Sequence, residues 1–211
     1  YTIDYNLSTT MSPLDRLTEL FRSFPGIGPR QARRFVYFLL ASTPTFRHDL
    51  SRQIETIGND ISQCTTCFRY FPQGRVESSV CRICNDAARD ATLLMAVERD
   101  VDIESVERSG AFKGKYIVLG GVVPLASEEP EKHVRLRELV AAANRDNLKE
   151  IILGFSATTE GDHTRLTCEE WLKGVAERGV KISVLGRGLS TGSELEYADP
   201  ETIKAAILGK K

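Results

Sequence analysis

The sequence predicts an α/β domain built on a parallel sheet with flanking helices, preceded by a small helical region and a four-cysteine motif. Three patterns predict this order. Short apolar runs alternate with helical spacing from residue 92 onward, apolar residues recur at helical intervals before residue 62, and two C-x-x-C pairs stand between them. The runs are Thr92 to Val97, Tyr116 to Leu119, Ile151 to Leu153 and Ile182 to Leu185. Strands that are apolar throughout are buried on both faces, as in a parallel sheet covered by crossover helices. Helical patterns at about 131 to 145 and 167 to 178 supply such helices. Thr167-x-x-Glu170 has the form of a capping box at the start of the second, Gly179 follows it as a C-cap, and Asp199-Pro200-Glu201 opens a terminal helix.

The front of the chain reads as three helices. Ser12 is an N-cap, Pro13 sits at the first helical position and Asp15 in the first turn, followed by Leu14, Leu17, Leu20 and Phe21 at helical spacing. This helix should stop before Pro25. A second pattern, with Ala32, Phe35, Val36, Leu39 and Leu40, runs to about Ala41. A third runs from about Phe46 to Ile61 and sets Leu50, Ile54, Ile57 and Ile61 on one face. The turn between the first two, Pro25-Gly26-Ile27-Gly28, has the pattern of a helix-hairpin-helix hairpin: Gly26 and Gly28 permit a tight bend and Ile27 pins it between the helices. The second helix then opens at the hairpin, so its unpaired N–H groups and positive dipole end can face a phosphate, with Arg30, Arg33 and Arg34 on its first turns. Such contacts hold the nucleic-acid backbone and carry little sequence preference. An ordinary turn between two helices is the alternative reading of the same residues.

Cys64-Thr-Thr-Cys67 and Cys81-Arg-Ile-Cys84 are separated by thirteen residues, with the polar, Gly-containing stretch Tyr70 to Arg75 between them. Two such turns can close four thiolates around a tetrahedral zinc ion, a structural site with no open position for a substrate. A redox pair would instead call for one C-x-x-C in a βαβ unit. The intervening segment has no helix pattern suited to a major groove, so the motif reads as a rigid joint between the hairpin and the α/β domain rather than as a DNA reader. Cys168 has no partner cysteine and reads as a packing residue.

The 211 residues carry a formal charge of -1, which excludes a protein that is basic all over. The charge is uneven, however: residues 11 to 90 hold eleven Arg, no Lys and eight acids. Guanidinium groups suit phosphate, although a solvated basic surface has the same composition. No run of about 18 apolar residues is present to span a bilayer, and the start has no signal-peptide pattern, so a cytoplasmic location is expected. Residues 1 to 11 read as lying outside the fold, an unordered or added leader. The remaining boundaries are expected at 12–62 for the hairpin region, 63–90 for the cysteine motif, 91–186 for the α/β domain and 187–211 for a C-terminal segment.

Open parallel sheets bind ligands beyond the carboxyl ends of their strands. Glu98 directly follows the first strand, and Glu160-Gly-Asp162 falls in the loop after the third. Carboxylates brought together from two such loops can hold magnesium through oxygen, while Asp100 and Asp102 read equally well as helix-start residues. The isolated histidines, His48, His133 and His163, read as solvated.

In this order of parts the chain resembles the bacterial recombination mediator family RecR, whose central domain is a Toprim domain. Phe24-Pro-Gly-Ile-Gly-Pro-Arg30 resembles the family's hairpin, Gly114 to Gly121 its second Toprim strand, and Thr158 to Asp162 its acidic loop. Gly188-Leu189 with Glu194 to Asp199 resembles its Walker-B-like C-terminal segment. The resemblance implies a non-enzymatic DNA-repair factor, a ring-like homo-oligomer that works with RecO and often RecF to help load RecA on SSB-coated single-stranded DNA. It implies DNA contacts at Arg30 and Arg34, zinc on Cys64, Cys67, Cys81 and Cys84, and Toprim acids Glu98, Glu160 and Asp162 that engage partners and DNA. The loop Val122 to Pro130 departs from the family's pattern, as do Val184 and Ser190. Two other readings compete: a magnesium-dependent Toprim nuclease or topoisomerase-like enzyme, and a zinc-dependent adapter that binds only protein.

Overall fold

The computed structural model describes residues 11–74, 78–145, 147–186 and 200–208. Residues 1–10, Arg75, Gly188-Leu189, Ser190 and the stretch Glu194 to Asp199 lie outside the described residues. The chain divides into two compact units, one ending at Asp60 and the other beginning at Ile61.

The first unit holds α1 (Pro13–Arg22), α2 (Pro29–Ala41) and α3 (Pro44–Asp60). The expected cap is present: Ser12 Oγ accepts the Asp15 N–H at 3.2 Å, and Pro13 occupies the first turn. Phe21 packs edge-on against Phe24 and Phe35, with ring centroids 5.8 and 5.5 Å away. Among the described residues of α1 to α3 only Thr18, Ala32 and Val36 are buried. The apolar face expected on α3 is therefore not a core face within the unit, since Ile54 and Ile57 are exposed, and Ile61 belongs to the next strand.

The second unit begins with a hairpin of β1 (Ile61–Gln63) and β2 (Tyr70–Pro72) and the short α4 (Arg82–Asn85). There follow β3 (Asp90–Val97), α5 (Asp100–Ser109), β4 (Gly114–Val118), a 3-10 turn at Pro130–Lys132, α6 (Leu136–Ala143), β5 (Glu150–Gly154), α7 (Thr159–Trp171), α8 (Lys173–Glu177), β6 (Lys181–Val184) and α9 (Pro200–Leu208). The four long strands form one sheet in the order β4-β3-β5-β6 with every pairing parallel. Alternation along the strands divides the core. Leu94, Ala96, Ile117, Leu119, Ile151 and Leu153 meet α6, α7 and α8 on one face. Met95, Val97, Tyr116 and Val118 meet Ile103 of α5, Phe112 and three of the motif cysteines on the other. No described helix is long and apolar enough to cross a membrane.

Two helix boundaries differ from the sequence expectation. The pattern at 131 to 145 is broken because the Arg135 N–H donates to the Leu119 carbonyl at 3.0 Å, so α6 starts only after it. The helix expected from Thr167 begins instead at the N-cap Thr158, whose Oγ accepts the Gly161 N–H at 3.1 Å. Thr167 lies inside α7 with its hydroxyl donating to the His163 carbonyl, so the Thr167-x-x-Glu170 pattern is not a cap. Cys168 is thereby a mid-helix core residue, and burial pushes its thiol up to about 12.

α5 is fastened to the sheet by a polar knot. The Tyr116 hydroxyl donates to Glu107 Oε1 at 2.6 Å, and Arg89 donates to the other carboxylate oxygen and, at 2.8 Å, to the Gly114 carbonyl. Burial works against the charged Glu107, yet the bonds from Arg89 and Tyr116 hold its carboxyl below the usual range. A lowered folded-state pKa contributes stability above the ordinary carboxylate value, and that contribution is lost as pH falls through the folded value. Glu107→Gln should therefore cost about 1–3 kcal/mol near pH 7. In denaturation curves the gap between variant and wild type should close below about pH 4.

Candidate functional site

Three groups of side chains hold the chemistry, one in the first unit and two in the second. In the second unit, Cys64, Cys67 and Cys81 are buried and Cys84 half-buried, and their four Sγ atoms all lie within 4.8 Å of one another. None is in a disulfide. A tetrahedral ion bonded to sulfur at about 2.3 Å sets its sulfurs about 3.8 Å apart, and Cys67 and Cys81 Sγ stand at 3.6 Å. The donor set thus fits a soft metal ion. Hydrogen bonds with Cys67 and Cys84 push the Cys81 thiol down, while the bond to Cys81 pushes Cys67 up.

Local geometry explains the closeness. After Cys67 the chain turns through Phe68 at φ 62, a left-handed conformation rare for a bulky residue. The Gln63 side chain donates to the Phe68 carbonyl at 3.0 Å, and the Arg135 guanidinium lies 5.2 Å from the Phe68 ring centroid. The motif is bonded to the sheet as well. Cys67 accepts the Val118 N–H at 2.9 Å, and Lys115 Nζ donates to the carbonyls of Ile83, Cys84 and Asp86 at 3.1, 3.0 and 2.7 Å.

The acids sit at the carboxyl ends of β3 and β5. These neighbouring strands lead away in opposite directions, β3 through α5 to β4 and β5 through α7 and α8 to β6, so a crevice of the kind that takes ligands in open sheets lies between them. Glu98 is 3% exposed and its Oε1 accepts both the N–H and the hydroxyl of Ser156, each at 2.7 Å. Ser156 Oγ lies 3.1 Å from Thr158 Oγ, the N-cap of α7. Glu160 and Asp162 fall in the first turn of that helix, not in the preceding loop, where carboxylates complement the helix dipole. Glu160 is exposed, and Asp162 lies 3.7 Å from Arg165. Among the described residues the four cysteines are the one group of three or more side chains close enough to share a metal; the three acids are not drawn together in that way. Asp102 closes the start of α5, where its Oδ2 accepts the Arg99 N–H at 2.8 Å, and Asp100 accepts the Tyr70 N–H at 2.6 Å.

In the first unit, Gly26 has φ +76, a conformation only glycine adopts freely, and the Ile27 N–H donates to the Phe24 carbonyl at 3.1 Å to close the turn. Gly28 is the N-cap of α2 and offers no side chain to its first N–H groups. Arg30, Arg33 and Arg34 are all exposed. Arg33 pairs with Asp15 at 3.2 Å and Arg34 donates to Gln31 at 3.3 Å, leaving Arg30 the least engaged of the three among the described residues.

Comparison with known proteins joins these parts. A Toprim domain model matches residues 92–186, and one described as the RecR C-terminal region matches 188–211. A recombination protein RecR from Chloroflexus aggregans is 34% identical over 95% of this chain and 94% of its own length. The chain belongs to the RecR family. Among its relatives, proteins of the same name from Dehalococcoides mccartyi and Rickettsia massiliae are 33% and 36% identical, over 99% and 94% of this chain and 98% and 95% of theirs.

Sequence reasoning missed Ser156, Lys115 and Arg135, whose roles arise from contacts across long separations; only the polar character of the segment after the third strand hinted at the first. The chain also passes close to itself locally at Gly161, where an added Cβ would lie 2.1 Å from the Ser156 carbonyl oxygen. Gly161→Ala should lower stability by about 1–3 kcal/mol, read as an earlier midpoint in chemical denaturation.

Proposed function

We propose that this chain is a DNA-binding recombination mediator. Near-full-length similarity to proteins named recombination protein RecR carries the reading, because it spans the hairpin, the cysteine motif and the α/β domain together. The chain acts in recombinational repair with RecO, and with RecF where present, to help load RecA on SSB-coated single-stranded DNA. It works as a homo-oligomeric ring, in which only the inner surface has to be basic, so a near-neutral chain suffices.

Within this reading the division is 12–62 for DNA binding, 63–90 for the zinc motif, 91–186 for the Toprim domain and 187–211 for the C-terminal segment. The hairpin glycines Gly26 and Gly28 bring the start of α2 against a phosphate, and Arg30, Arg33 and Arg34 add cationic contacts to single- or double-stranded backbone. Cys64, Cys67, Cys81 and Cys84 hold a structural zinc ion, a reading supported by their sulfur spacing and by the thiolate donor set. Glu160 and Asp162 present negative charge to a basic partner, and Glu98 holds the turn before them. The commitment of Glu98 to two Ser156 bonds also favours a mediator over a magnesium-dependent nuclease. Nicking of supercoiled DNA in magnesium that disappears in Glu98→Gln would overturn the non-enzymatic reading.

Arg30→Ala with Arg34→Ala should weaken binding to all DNA sequences alike and reduce the slope of log affinity against log salt by about 1–2, measured by fluorescence anisotropy. Unchanged affinity would place the DNA contact elsewhere. Cys81→Ser should release about one zinc ion per chain, assayed by a chromogenic chelator, and lower the thermal midpoint.

A further inference from the structure

β2 has three residues, and its alternation turns Phe71 onto the core while Tyr70 faces solvent with 58% of its surface exposed. The exposed ring is carried by a fixed backbone. Tyr70 pairs with Gln63 across the hairpin, the Cys64 N–H donates to the Arg69 carbonyl at 2.8 Å, and the Tyr70 N–H donates to Asp100 at 2.6 Å. One side of this support is the cysteine motif and the other is the start of α5. Two arginines flank this junction in sequence. Arg69 precedes Tyr70 and its Nε donates to the Tyr70 carbonyl at 3.4 Å. Arg99 precedes Asp100, its side chain is 63% exposed, and its one ion pair among the described residues is a 3.8 Å contact with Glu98. The junction adjoins the carboxyl end of β3, where an open parallel sheet takes ligands.

We propose that Tyr70 is a stacking platform for a base of single-stranded DNA, with Arg99 holding a neighbouring phosphate. An exposed aromatic ring offers a face to any base, and an exposed guanidinium on the adjoining turn suits the backbone, so the site is indifferent to sequence. A duplex has its bases stacked on one another and cannot use the ring. The site therefore discriminates strandedness, a property that phosphate contacts at the hairpin do not supply. It rests on the DNA-binding reading above.

The experiment measures anisotropy of labelled oligothymidine and of a labelled duplex with the zinc-loaded full chain. Tyr70→Ala and Tyr70→Leu should each weaken oligothymidine binding about tenfold, Tyr70→Phe should bind like wild type, and duplex affinity should be unchanged in all three. Arg99→Ala should lower the single-strand salt slope by about 0.7. Wild-type single-strand affinity in Tyr70→Ala, with zinc content and thermal midpoint retained, would overturn the platform while leaving the hairpin reading intact. Equal losses on single strand and duplex would overturn it as well. A wild-type chain that binds neither DNA would remove both this site and the DNA-binding reading.

Discussion

An edge strand of a parallel sheet carries a row of N–H and C=O groups with no partner, and β4 is such an edge. The cysteine motif closes part of that edge: the Cys67 carbonyl accepts from Val118, and Lys115 reaches back to three carbonyls at the end of α4. Unpaired strand edges invite association with other chains, so covering this one stabilises the sheet and restricts what it can join. The covering holds only if the two C-x-x-C turns stay together. Three buried thiols and one half-buried thiol in contact make a poor core by themselves, whereas four thiolates around one cation make a rigid one. The cysteine motif and the α/β domain belong to one compact unit.

The same dependence reaches the crevice between β3 and β5. Tyr70 on the motif's hairpin bonds to Asp100, the first residue of α5, which follows β3 after Glu98 and Arg99. On the other side of β3, buried Glu98 holds Ser156, and Ser156 lies against the Thr158 cap and the space that Gly161 leaves empty. The acidic turn of α7 is thus shaped by a carboxylate that is itself used up in shaping it. A buried carboxylate with two short bonds acts through geometry, and the exposed Glu160 is the charge offered outward.

The site was legible where chemistry depends on spacing along the chain. Two C-x-x-C pairs announce a cluster of four cysteines, and Gly26 in a Pro-Gly-Ile-Gly turn announces a positive φ, because each is a local constraint. The acids were legible as residues at strand ends, but not in their roles. Glu98 looked like Glu160 in the sequence, and only the fold buries one and exposes the other. Thr167 carried a capping pattern without capping anything, since a motif of two residues recurs by chance inside helices and the sequence does not say which turn comes first.

Apolar periodicity by itself determined the four parallel strands, the front helices and the two-sided core, because the free energy of burial reads hydrophobic pattern directly. What only the tertiary structure decided is the order β4-β3-β5-β6, the burial of Glu98 against Ser156, the docking of the cysteine motif on β4 and the outward face of Tyr70. Each joins residues far apart in the chain, and contacts of that kind leave no spacing behind for a sequence to display.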